Sequence, residues 1–146
     1  MPPPALHALR MVVALAGILP WALAIAGVHA PELAQVFHTL CHQRPERTLA
    51  IFGAPMLVCS RCAGVYAGVA LGVVLVLPRT WLPRGRTLVI AALAAAVAEI
   101  AVQDLGLHPP WHATRLATGL MLGWTASAFM FATLGNSLAP KMAASR

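Results

Sequence analysis

Four runs of apolar residues, each close to the ~20 that carry a helix across hydrocarbon, constrain this chain more than any other feature. They span approximately 9–28, 61–77, 87–105 and 114–134, the second being the shortest. None alternates polar and apolar residues as a half-buried strand does. Backbone groups in lipid must pair within their own segment, so each run is expected to be a helix. Pro78, Pro83 and Gly85 break the chain after the second run, and Pro109 with Pro110 after the third. Links this short set neighbouring helices antiparallel, which predicts an all-α fold: an integral membrane four-helix bundle, one transmembrane domain over residues 1–146.

Composition agrees. Charged residues are 10% of the chain and hydrophobic ones 60%, whereas a soluble domain carries roughly a quarter charged. The net charge of +6 does not indicate nucleic acid, because the basic residues are scattered at segment ends with no aromatic-interleaved stripe. The expected partner is the lipid bilayer; a homo-oligomer or a membrane partner protein stays open. The first run is long for a signal-peptide core and Val28-His29-Ala30 is a poor cleavage site, so it reads as a retained helix.

Orientation follows from the cations. Arg10, Arg79, Arg84, Arg86, Lys141 and Arg146 fall on one side of the four runs, and Arg44, Arg47, Arg61 and Arg115 on the other. The positive-inside rule places the larger group, and with it both termini, in the cytoplasm of a multi-pass cell-membrane protein. The connection from Ala30 to Ser60 and the turn from His108 to His112 then face outward. In the first of these, Pro31 and Glu32 suit a first helical turn. Leu33, Val36, Phe37 and Leu40 share one apolar face, with His38, Cys41 and His42 on a neighbouring one. This predicts an interfacial helix in the first outer loop, ended by Pro45.

All three cysteines lie in that connection and just beyond it, within CHQRPERT (41–48) and VCSRCAG (58–64). A C-x-x-C pair aims two sulfurs the same way, and thiolates with imidazole favour zinc or another thiophilic transition metal. Cys41 and His42 complete a set of four, with His38 as the substitute because adjacent ligands are hard to aim at one ion. Arg61 is expected to balance the thiolate charge. The same pair at a helix start also suits a thiol–disulfide oxidoreductase, since the helix field and Arg61 lower a thiol pKa. Quinone-linked enzymes of that layout normally work with two cysteine pairs, and this chain has a pair and one extra. A structural disulfide, inert thiols, or a non-catalytic scaffold or assembly subunit are the remaining readings.

The third run carries Glu99, Gln103 and Asp104. A carboxylate in mid-membrane costs about 2.5 to 3.5 kcal/mol on insertion scales, so it faces the bundle interior and finds a partner. Arg115 is the expected partner of Asp104. Glu99, deeper and without an evident partner, is a structural residue, a proton carrier or the polar wall of a ligand pocket. Its expected face includes Ala92, Ala95 and Ala96. Gly64, Gly68 and Gly72 recur every four residues in the second run, and Gly119, Gly123 and Ser127 in the fourth. Small residues at this spacing let helix backbones approach closely in lipid. That packing is expected to bring Arg115 and Tyr66 toward the cysteines.

These motifs resemble an uncharacterised prokaryotic membrane-protein family, domain of unknown function 2085. Its pattern of CHQ-x-PER-[ST], VC-x-RC-x-G, an acidic helix end and an R-x-x-x-G helix is met by residues 41–48, 58–64, Asp104, Arg115 and Gly119. The likeness extends over about Leu33 to Gly123. The stretch LGLHPPWHATR departs from the aromatic-rich, glycine-containing turn of the family. The resemblance implies that the Cys, His, Asp and Arg positions belong to one site, and supplies no activity.

Overall fold

The computed structural model describes residues 4–28, 30–39, 41–75, 82–109 and 111–143. The ends of two expected features, positions 76–77 of the second run and the Arg79 and Arg146 cations, lie outside the described residues. The architecture is mostly helical. Helix α1 (Pro4–Ile25) is followed by α2 (Pro31–His38), a one-turn 3-10 helix (Pro45–Arg47), strands β1 (Thr48–Ile51) and β2 (Ala54–Cys59), then α3 (Ser60–Val74), α4 (Leu82–Asp104) and α5 (His112–Ala143).

Among the described residues, three helices, α1, α4 and α5, are long and apolar enough to cross a membrane, while α3 is a shorter apolar helix of 15 residues. At 1.5 Å per residue α3 extends about 22 Å, short of the ~30 Å hydrocarbon layer. Pro83 and Gly85, expected to break the chain, instead lie in the first turn of α4. A proline there gives up an amide that has no intrahelical partner anyway. Helices α1 and α4 stop through glycines in the left-handed region, Gly27 (φ 67°) and Gly106 (φ 71°). At each, two amide donors return to carbonyls of the last turn: Gly27 to Ala24 and Val28 to Leu23, Gly106 to Gln103 and Leu107 to Val102.

Helix α3 lies between α1 and α5, and α5 lies between α3 and α4. The α3–α5 contact is made backbone to backbone. A Cβ on Gly64, Gly68 or Gly72 would run into the carbonyl of Leu116, Leu120 or Trp124, and one on Gly119 or Gly123 into that of Arg61 or Val65. The two small-residue rows therefore interlock, as close approach in lipid requires. Gly17 does the same for α1, where a Cβ would sit 2.7 Å from the Tyr66 carbonyl oxygen. Trp21 adds a hydrogen bond from Nε1 to the Ala63 carbonyl at 3.0 Å. The outward faces are apolar and uncovered, with Leu15, Ile18, Leu93, Val97 and Met121 all exposed. That pattern suits contact with lipid tails.

One expectation is corrected at the connection between α1 and α3, which holds a two-stranded antiparallel hairpin as well as a helix. Its register pairs Thr48 with Cys59, Ala50 with Pro55 and Ile51 with Ala54, with an irregularity between Thr48 and Ala50. In β2, Met56, Leu57 and Val58 are all buried in succession, because the strand packs between α1 and α2. Both faces are covered, so the sequence shows no period-two alternation. Helix α2 also ends sooner than Pro45 would impose. Thr39 donates its hydroxyl to the Val36 carbonyl at 2.7 Å, and Gln43 adopts a positive φ of 46°. His42 is therefore not on the helix with His38. Phe37 is buried, Leu33 is half-buried and Val36 faces outward; Leu40, expected on the same face, lies outside the described residues.

The hairpin turn is Phe52-Gly53, with both φ values positive (52° and 82°), as a two-residue type I′ turn demands. Phe52 is bulky for that region and 88% exposed, so its side chain gains nothing from the fold that offsets the strain. Phe52→Asn is expected to stabilise the protein by about 0.5–1 kcal/mol. The measurement is the unfolding midpoint in detergent. An unchanged or lower midpoint would contradict strain at Phe52.

Candidate functional site

One end of the bundle collects the chain's polar chemistry. The end of α1, α2, the hairpin, the starts of α3 and α5 and the end of α4 all meet there. At the opposite end, Leu6 near the start of α1 packs with Val73 at the end of α3 and Phe131 late in α5.

The three cysteines arrive on different elements. Cys41 follows α2 and extends its last turn by donating its amide to the Phe37 carbonyl at 2.9 Å. Cys59 closes β2 and stands at the N-cap of α3. Cys62 lies in the first turn of α3, which turns both sulfurs of the pair toward Cys41. The three Sγ atoms all lie within 4.8 Å of one another. Cys41 is 4% exposed, and its sulfur accepts the Cys59 amide at 3.2 Å. The Cys59 thiol is held well below the usual thiol range, first by its hydrogen bond with Cys41, then by that with Cys62, with the Arg115 guanidinium adding to them.

The spacing fits a metal ion. A tetrahedral zinc bonded to sulfur at ~2.3 Å holds its sulfurs about 3.8 Å apart, so these three need little inward movement. His42 lines the same cavity as the sulfurs, but neither it nor His38 belongs to the tight sulfur group. His38 is exposed at the end of α2. His108 stacks on Trp111 with ring centroids 5.2 Å apart, and His112, exposed, begins α5. Tyr66 points its ring edge-on to Phe37 at 6.0 Å and does not line the cavity.

Behind the sulfurs runs a continuous polar network. Arg61 bonds Glu99 through both Nε (3.1 Å) and Nη2, with side-chain exposures of 18% and 8%. Gln103 Nε2 donates to the other Glu99 oxygen, and Gln103 Oε1 accepts from Arg115 Nη1 at 2.6 Å. Arg115, 2% exposed, also donates from Nε to Ser60 Oγ at 3.2 Å, and Ser60 donates to the Arg47 carbonyl at 3.1 Å. The partner expected for Asp104 is thus wrong. Glu99 and Gln103, one turn apart, face α5. Asp104, one residue on, is turned away and meets Arg47 at 3.9 Å with 62% of its side chain exposed. Arg61 is committed to Glu99, which leaves Arg115 as the buried cation beside the sulfurs. Ala92 and Ala96 share the buried face with Glu99, whereas Ala95 is exposed.

Two residues that sequence reasoning left without a role hold the site in shape. Gln43 donates Nε2 to both the Ala34 carbonyl (2.8 Å) and the Leu57 carbonyl (2.7 Å), tying α2 to β2. Ser60, fully buried, connects the 3-10 turn to Arg115. The signal for both was their place inside the two cysteine motifs. Thr48 likewise closes the PER turn by donating to the Arg44 carbonyl at 2.7 Å.

Residues 41–129, the stretch that contains every member of this constellation, match the family described as predicted membrane protein (DUF2085). The chain belongs to this family. It is similar to an uncharacterized protein of Methanocaldococcus jannaschii, MJ1492, at 36% identity over 95 residues, covering 62% of this chain and 60% of that protein. It is also similar to an uncharacterized protein of Methanothermobacter thermautotrophicus, at 50% identity over 32 residues, 22% of this chain and 29% of the relative. The match therefore spans less than two thirds of the length of either relative. No solved structure matches the chain. Membership of DUF2085 makes this a membrane protein in contact with lipid, and its three neighbouring cysteines are able to hold a metal ion.

Proposed function

We propose that this DUF2085 protein is a multi-pass cell-membrane protein that binds a thiophilic transition metal, zinc foremost, at an extracytoplasmic thiolate centre. Helices α1, α3, α4 and α5 span the bilayer as a single domain, with the layer thinning around the shorter α3, α2 at the outer interface and both termini in the cytoplasm. Arg10, Arg84 and Arg86 at the end away from the sulfurs support that orientation. Cys41, Cys59 and Cys62 are the ligands. His42 is the side chain placed to take the fourth position, with His38 as its substitute. Asp104, Arg115, Glu99 and Arg61 brace the elements that carry the ligands, and Tyr66 packs behind them. The observation that carries this reading is the meeting of three sulfurs from two separate motifs, with a backbone amide donated to one of them. A bound ion would supply charge stabilisation for the thiolates and a Lewis-acid centre facing the cavity.

Labelling of single-cysteine variants and of the native chain in intact cells, with a membrane-impermeant thiol reagent, tests the proposal. The native thiols are expected to react from outside only after a chelator strips the site. Labelling indifferent to chelator, or access only from the cytoplasm, would overturn it. The low-lying Cys59 thiol at a helix start favours a second reading, thiol–disulfide exchange. Thiols that appear only after a reductant, and not after a chelator, would select that one.

A further inference from the structure

The sulfurs form one wall of a cavity of about 300 Å³. Arg44, Arg47, Arg61 and Arg115 form much of the rest, with His42 and Gln43, and no carboxylate lines it. Glu46, in the turn between Arg44 and Arg47, is exposed and outside the lining.

The guanidinium charge here is not matched by the chain. Among the described residues, Arg61 pairs with Glu99 and Arg47 meets Asp104 at 3.9 Å. Arg44 has neither a carboxylate nor a hydrogen-bond acceptor for its side chain. Arg115 is buried; its Nε and Nη1 bonds go to neutral oxygens of Ser60 and Gln103, and the Cys59 sulfur is its remaining partner. The Nε of Arg47 is buried with no acceptor. Four cations therefore face two carboxylates. A three-thiolate centre holding a divalent ion carries one negative charge, which leaves an excess of one cation. A buried guanidinium without an anion is costly, so the arrangement favours capture of one.

The geometry points to a binding site for a tetrahedral oxyanion of the phosphate type, either free or as a lipid headgroup, beside the thiolate centre. A carboxylate spreads one charge over two oxygens in a plane, whereas a phosphate carries up to two charges on three or more tetrahedrally arranged oxygens and accepts guanidiniums from several directions. With Arg61 held by Glu99, Arg44, Arg47 and Arg115 remain around one small cavity, an arrangement that matches a tetrahedral anion better than a planar one. Placement at the rim of the bundle puts the cavity within reach of headgroups as well as of soluble ions. The proposal goes beyond the metal reading and does not require it, because the arginines are positioned by the fold.

The test is calorimetric titration of inorganic phosphate into the detergent-purified full chain, as purified and after chelator treatment, with metal content measured on each sample. Saturable binding of one phosphate per chain is expected. Arg44→Gln should weaken it by at least about tenfold, the loss of one charge-assisted contact. The double variant Arg44→Gln with Arg47→Gln should abolish it. Arg44 is exposed, and an unfolding midpoint unchanged in Arg44→Gln and in the double variant shows that the fold survives. In a parallel arm the protein is placed in nanodiscs of phosphatidylcholine with or without phosphatidic acid. Selective retention of phosphatidic acid, displaced by phosphate, assigns the anion to lipid; free phosphate binding alone assigns it to the soluble ion. Acetate binding as tightly as phosphate, no saturable binding in either arm, or binding untouched by the double variant would overturn the proposal. Phosphate binding in a protein that carries no metal would uphold it while sinking the metal reading, and the converse holds for a metal-loaded protein that binds no anion.

Discussion

Gly68→Leu abolishes the α3–α5 packing and with it the sulfur site. A Cβ at this position already collides with the Leu120 carbonyl and lies 2.7 Å from the Trp124 amide nitrogen. Both are backbone atoms of α5, which cannot step aside as the tip of a side chain would. Even Gly68→Ala must push the helix axes apart, at a cost of about 1–3 kcal/mol. A leucine adds three more carbons to the same gap. Because α3 carries Ser60, Arg61 and Cys62 in its first turn, separation of the helices breaks the bond from Arg115 to Ser60 and draws that guanidinium away from the sulfurs. Gel filtration and thermal unfolding of the detergent-purified variant should show loss of the folded species, and the variant should retain no metal. Gly135→Ala is the control. It lies late in α5 with only the Leu6 Cδ2 at 4.0 Å, and should unfold at the native temperature or slightly above it, since alanine favours helix. Equal tolerance at the two positions would mean that α3 and α5 are not in backbone contact.

Glu99→Gln is expected to cost about 3–5 kcal/mol, the penalty for leaving one half of a buried ion pair alone. The glutamine keeps the shape and one acceptor oxygen, so the loss is that of charge rather than of volume. It strands Arg61 at 18% exposure beside α4. The strain passes through Gln103 to Arg115, which shares the network. The double variant Glu99→Gln with Arg61→Gln should recover most of the stability, because two neutral amides hydrogen-bond without a desolvated charge. Unfolding midpoints of the single and double variants in one detergent give the coupling directly. A single-variant loss under about 1 kcal/mol would place the pair in solvent, as an exposed ion pair.

Much of this was open to reading from the residues. The helical runs, the interlocking small-residue rows and the gathering of polar groups at one end follow from hydropathy and four-residue spacing, which are local properties. The hairpin was not legible, because Met56, Leu57 and Val58 are buried on both faces of β2 and the turn is Phe-Gly rather than Asn-Gly. Without alternation and without the common turn residues, TLAIFGAPMLVC reads as loop. The partner of Glu99 was hidden for another reason. Arg61 is 38 residues away, and the pairing depends on how α3 and α4 rotate about α5, which spacing within either helix does not set. The Asp104 error has the same origin: one residue, a turn of about 100° on the helix, separates the side that meets Arg115 from the side that meets Arg47.

X-ray absorption at the metal edge of the purified full chain examines the convergence of Cys41, Cys59 and Cys62 most directly. About one ion per chain is expected, with three sulfur neighbours at ~2.3 Å that fall in number when Cys41 is replaced by serine. Protein that holds less than about a tenth of an equivalent of any transition metal, with all three thiols freely titratable, would contradict the metal centre.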